Sequence, residues 1–145
     1  MLKLKVKDVE IESDERCFVY CEDEAGDIYE FPVAYSKCRI IALLLMGAYL
    51  PQESIYEFIL ELFKSIGMTI SSVVISDAYN NRAVVNLINY TTGASRSFRL
   101  SIPDALIIAL LSGAELYVKK EAEILLAEEI DKFFWYRFLK ELDLC

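Results

Sequence analysis

Ile40-Ile41-Ala42-Leu43-Leu44 returns 67 residues later as Ile107-Ile108-Ala109-Leu110-Leu111. At the same offset Gly26 meets Gly93 and Phe31 meets Phe98 without a gap. Upstream, Val6 meets Val73, and the apolar Phe18 and Tyr20 meet Val85 and Leu87. One deletion past the shared run brings Gly47-Ala48 onto Gly113-Ala114. Self-similarity at a fixed spacing constrains architecture before any local pattern does. The expected fold is α+β: an internally duplicated unit of three strands and a helix, repeated at about 2–47 and 69–114. The two units form one domain, with an extra central helix between them and a C-terminal helix after them.

Local patterns fill in that frame. Leu2-Lys3-Leu4-Lys5-Val6-Lys7 alternates with period two, the mark of a half-buried strand. Cys17 to Cys21 and Ile28 to Val33 read as the next two strands, joined by the acidic turn Glu22 to Asp27, where Gly26 supplies a positive φ. Ser36 is placed to cap a helix running to Met46 and ending at Gly47. Its apolar residues cover most of the circumference, so a buried helix is expected. Pro51 opens the central helix, with Glu53 in its first turn. Ile55, Phe58, Ile59, Leu62, Phe63 and Ile66 give it one apolar face, and Gly67 ends it. The second set follows as strands Met68 to Asp77, Ala83 to Tyr90 and Arg96 to Ser101. A helix then starts with Pro103 at its first position and ends at Gly113, and Glu115 to Val118 is a last short strand.

Composition narrows the class. With 145 residues, 55% of them hydrophobic, the chain can bury one good core but not two. The longest apolar run, Ile40 to Leu50, is about half a bilayer span, and the alternating N-terminus does not resemble a signal peptide. No membrane association and a cytoplasmic location are therefore expected. The chain has no histidine, so His-based triads and His-containing metal sites are excluded. Its four cysteines lack a CxxC pair, and Cys17 and Cys21 stand roughly 13 Å apart along one strand, too far to bridge. No zinc and no nucleotide cofactor are expected, and the thiols read as buried core groups.

The net charge of −8 excludes a broad polyanion-binding surface. Five acids and no base lie between Glu22 and Glu30. Any nucleic acid must use a local patch drawn from Lys37, Arg39, Arg82, Arg96 and Arg99, and these same residues also read as scattered solvated charges. The segment 121–145 lies outside the repeat. It reads as an aromatic amphipathic helix, Phe133 to Tyr136 being apolar nearly all round. It packs either on the domain or at the interface of a homo-oligomer.

The same signposts resemble the bifunctional nuclease domain family over roughly residues 2 to 120. Phe31-Pro32-Val33 stands where the family has a strand-end Leu-Pro-Ile. Pro51 to Phe58 aligns with its Pro-Arg-Pro-Leu-Thr-His-Asp-Leu helix start. Ile66-Gly67 and Val73-Val74-Ile75-Ser76-Asp77 follow without a gap. Its Asp-Ala-Arg-Pro-Ser-Asp-Ala signature falls on Arg99-Leu100-Ser101-Ile102-Pro103-Asp104-Ala105. The departures are Tyr56 for the helix-start histidine, Glu57 for its acidic neighbour, Arg99 and Ser101 within the signature, and Arg39 for a glutamate.

The resemblance implies a metal-dependent nuclease acting on RNA or DNA. Asp104, Glu57, Arg39 and Arg99 would be the catalytic candidates, Asp104 and Asp77 the ligands for Mg²⁺ or Mn²⁺. Single-stranded RNA or DNA would bind along Lys37, Arg96 and Arg99. Carboxylates holding a divalent ion beside a positive group are what phosphodiester cleavage needs. Each carboxylate also has a structural role open to it: Asp104 and Glu57 in first helical turns, Asp77 before a hairpin turn. Asp104 is the repeat-mate of Lys37, so the two can pair or line one cleft. The alternative function is a catalytically degenerate, oligomeric binding or regulatory module on the same fold.

Overall fold

Alternating apolar positions build β1 (Leu2–Ile11), which pairs antiparallel with β2 (Cys17–Asp23), and β2 pairs with β3 (Ile28–Val33). Two helices follow, α1 (Tyr35–Leu45) and α2 (Ile55–Ser65). β4 (Met68–Asp77), β5 (Arg82–Asn89) and β6 (Ser95–Ser101) then form a second antiparallel meander, from which α3 (Ile102–Ser112) departs. β7 (Glu115–Val118) comes last. An order of three strands followed by a helix thus occurs twice along the described residues. This computed structural model describes residues 1–12, 16–50 and 54–119. The predicted C-terminal helix, the subunit interface assigned to it, and the helix start at Pro51 lie outside the described residues.

The fold is α+β, a seven-stranded sheet in the order β3-β2-β1-β7-β4-β5-β6. β7 joins the meanders, antiparallel to β1 and parallel to β4. Alternation sends Leu4, Val19, Phe31, Val73, Ile75, Val85 and Leu116 to one face of the sheet, where they form a single core with Cys38 and Ile41 of α1 and Leu106 and Ile107 of α3. Each fully buried Leu, Ile or Phe there stabilises the fold by about 1.5–3 kcal/mol relative to exposure. Among the described residues, no helix is long and apolar enough to cross a membrane.

Three local expectations are corrected. α1 buries only Cys38 and Ile41, while Leu43 is 44% and Met46 82% exposed. It packs against α3 and over β1 and β2, which leaves Ile40, Leu44 and Leu45 half-buried at the edge of the core and Leu43 facing outward. α3, with nearly the same sequence motif, lies over β4, β5, β6 and β7 and buries seven of its eleven residues. Ser36 does not cap α1: the helix begins two residues earlier, behind Ala34, whose carbonyl accepts from Cys38 N and which has no side-chain oxygen to offer as a cap. Pro103 is the second rather than the first residue of α3, with Ser101 at the N-cap. The helix ends agree with expectation. Gly47, at φ +82, lets its own N–H reach Leu44 O and that of Ala48 reach Leu43 O, both at 3.0 Å.

Candidate functional site

The first turns of the three described helices meet. Lys37 is the third residue of α1, Tyr56 the second of α2 and Asp104 the third of α3. Lys37 Nζ donates to Asp104 Oδ1 and to Tyr56 Oη, each at 2.7 Å, and Tyr56 Oη donates to the same Oδ1 at 2.5 Å. Ser101, the N-cap of α3, donates its hydroxyl to Oδ2 at 3.1 Å. The lysine ammonium also stands 5.3 Å from the Tyr56 ring centroid, within cation–π range.

Helix physics explains only part of this. A carboxylate in a first turn is favoured by the helix dipole, and Asp104 gains roughly 0.3–1 kcal/mol there. A lysine in a first turn is disfavoured by the same field, and α1 carries no acid in its own first turn to offset it. What holds Lys37 in place is Asp104, 67 residues away.

The charges respond accordingly. Burial alone would raise the Asp104 pKa, but the Lys37, Tyr56 and Ser101 hydrogen bonds outweigh it and hold the carboxyl below its ordinary range. For Lys37, burial pulls the ammonium down and the bonds to Asp104 and Tyr56 more than restore it, so its pKa is raised. Burial and the Asp104 hydrogen bond push Tyr56 up. At neutral pH the cluster is therefore an ammonium, a neutral phenol and a carboxylate, with no group poised to give or take a proton.

This polar trio sits at one end of a cleft of about 250 Å³ between α2, α3 and the strands β5 and β6. Ile59 and Phe63 line it from α2, Leu87 from β5, Phe98 and Leu100 from β6, and Ile108 from α3. Phe98 is 49% exposed and Ile55, on the α2 side, 59% exposed. An apolar cleft with a few convergent polar groups is the ordinary form of a small-molecule site.

The remaining predicted site residues are not gathered here. Arg39 is two residues from Lys37 on α1, which turns it to another face, and it stacks over the Tyr35 ring at 5.9 Å. Arg99 alternates with Phe98 and Leu100, which line the cleft, so it projects from the opposite face of β6. Arg96 shares the cleft face but lies at the far end of β6, roughly 16 Å along the strand from Ser101. Glu57 follows Tyr56 by one residue, which turns it about 100° away; its backbone N–H is capped by Ser54 Oγ at 3.2 Å. Asp77 accepts from the backbone and side-chain amides of Asn80, closing the β4–β5 turn. Through Arg82 it stands two strands from Ser101.

These residues do not fit a Mg²⁺ or Mn²⁺ site. The cation facing Asp104 is the Lys37 ammonium, and three donors already use its two oxygens. Asp77 is committed to its turn. Among the described residues, no three Cys, Asp or Glu side chains gather into a group that could hold a metal ion. The acidic stretch at Glu22–Glu30 is structural in its buried member: Asp23 accepts from Ala25 N, Asp27 N and Tyr29 Oη.

Sequence reasoning missed Asn81. At φ +54, a conformation Asn tolerates better than most residues, it accepts the Ile102 N–H through Oδ1 at 3.1 Å, tying the β4–β5 turn to the start of α3. The Asn80-Asn81 pair in the turn was the available signal. No protein-family model matches the chain, and no curated protein matches it either.

Proposed function

We propose that the protein is a divergent relative of the bifunctional nuclease domain family that binds a ligand in the Lys37–Tyr56–Asp104 cleft. Metal-dependent cleavage is not its chemistry. The observation that carries this reading is the state of Asp104. Its carboxylate already accepts from Lys37, Tyr56 and Ser101 at the end of an apolar cleft. Such a group organises a pocket, and the Lys37 ammonium at 2.7 Å holds the place beside Oδ1 that a divalent ion would need. The test is incubation of labelled single-stranded RNA and DNA with Mg²⁺ or Mn²⁺, wild type beside Asp104→Asn. The expected result is no turnover above the variant's background. Metal-dependent turnover lost in Asp104→Asn overturns the binding reading.

That outcome would favour the second reading, a metal-dependent nuclease acting on RNA or DNA. One observation supports it. Tyr56 and Asp104, matched to two separate motifs of the resemblance, meet in space although 48 residues apart, and Lys37, near a third, joins them. With either reading we place the protein in the cytoplasm as a homo-oligomer assembled through residues 121–145. A clean monomer in sedimentation at micromolar concentration would refute the oligomer.

A further inference from the structure

Resting on the reading of the cleft as a binding site, we infer that its ligand is a small amphiphile with a carboxylate head and an apolar body. The head is set by the donor inventory. An ammonium has three N–H donors, and Lys37 spends two, on Asp104 and Tyr56. Its side chain is 37% exposed, so the third N–H is open to a ligand acceptor. A cationic head would meet this ammonium directly. A carboxylate instead takes the third N–H in a charge-assisted bond, with Lys37 bridging it to Asp104. The chain's net charge of −8 opposes anions only beyond that contact, where salt screens it.

The body is set by the lining. Beyond the trio, Ile59, Phe63, Leu87, Phe98, Leu100 and Ile108 offer no side-chain hydrogen-bond donor or acceptor. A cavity of about 250 Å³ holds roughly eight water-sized groups, a match for a chain of about eight carbons. Such a chain would also cover the outward part of Phe98, half exposed without it.

The experiment titrates ¹⁵N-labelled full-length protein with octanoate, octan-1-ol and octylammonium, following the amide signals of Ile59, Leu87, Phe98 and Ile108. Octanoate is expected to shift these saturably, with a Kd about ten-fold or more below that of octylammonium. Lys37→Met should abolish that preference and Lys37→Arg should keep it. The three-ligand comparison on wild type stands whether or not the variants fold. Equal binding of octanoate and octylammonium, or a preference that survives Lys37→Met, overturns the carboxylate head but leaves the cleft as a binding site. No shift at these amides with any of the three overturns both.

Discussion

A double-mutant cycle on Lys37 and Asp104 isolates the interaction that organises the site. Asp104→Asn keeps the volume and removes the charge; Lys37→Met keeps the stem and removes the ammonium. Asp104 loses its first-turn dipole interaction, about 0.3–1 kcal/mol, and charge-assisted bonds worth about 1.5–3 kcal/mol when well shielded. Both side chains are partly exposed, 37% for Lys37 and 30% for Asp104, so solvent screening brings the pair toward the surface range of about 0.2–1 kcal/mol. Asp104→Asn should therefore cost about 0.5–2 kcal/mol. Lys37→Met should cost less, because it also relieves a lysine set against the dipole of α1. The coupling energy should be about 1 kcal/mol, measured as the shift in urea midpoint at constant m.

The pH dependence carries a definite sign. Asp104 titrates below its ordinary 3.8, so its contribution is complete above that pH and is lost as pH falls through the folded value. Lys37 titrates above its ordinary 10.5, so its contribution is complete below that pH and is lost as pH rises through the folded value. The stability gap between wild type and Asp104→Asn should therefore close at the acid end. A coupling energy within 0.3 kcal/mol of zero, or a gap unchanged down to pH 2, would refute the account of the cluster.

Two further outcomes follow from the fold. Gly47→Ala should destabilise by about 1 kcal/mol in thermal unfolding, because the φ of +82 disfavours any Cβ while nothing lies within 4 Å to clash with it. An unchanged Tm would show that the end of α1 frays. Burial pushes the thiols of Cys21 and Cys38 up to about 12. In a Cys145→Ser background, Cys17, Cys21 and Cys38 should then resist a disulfide reagent at pH 8 until the protein is unfolded in guanidinium chloride. Burst labelling of the native protein would contradict the burial.

Element order was legible because it rests on signals carried by single residues: period-two alternation in β1, glycines after α1 and α3, a repeated apolar pentad. The Lys37–Asp104 pair was legible too, since the repeat set the two residues at equivalent positions. How deeply each helix sinks was not. Ile40–Leu44 and Ile107–Leu111 are the same five residue types, yet one lies toward the side of the helical layer and the other over four strands. α3 lies between α1 and α2 and over β4 to β7, whereas α1 has only α3 and β1–β2 beside it, an arrangement set by long-range packing for which the pentad carries no local signal. Tyr56 stands where the resemblance has a histidine, but its union with Lys37 depends on the approach of α2 to α3. The position of Arg99 was readable in principle: strand alternation already separates it from Phe98 and Leu100, and the motif match concealed this.

The central place of β7 also bears on how the chain reaches its native state. Leu2 pairs with Val118 and Leu4 with Leu116, so the two meanders become one sheet only when the segment after α3 arrives. Closing so long a loop precedes any gain from the pairing, which slows the folding of topologies of this kind. On the ribosome, β1 would emerge before the other described strands and wait as an open edge until β7 had been made. An unpaired edge invites pairing with another chain, and β1 guards itself meanwhile with Lys3, Lys5 and Lys7, which keep nascent copies apart until its proper neighbour arrives.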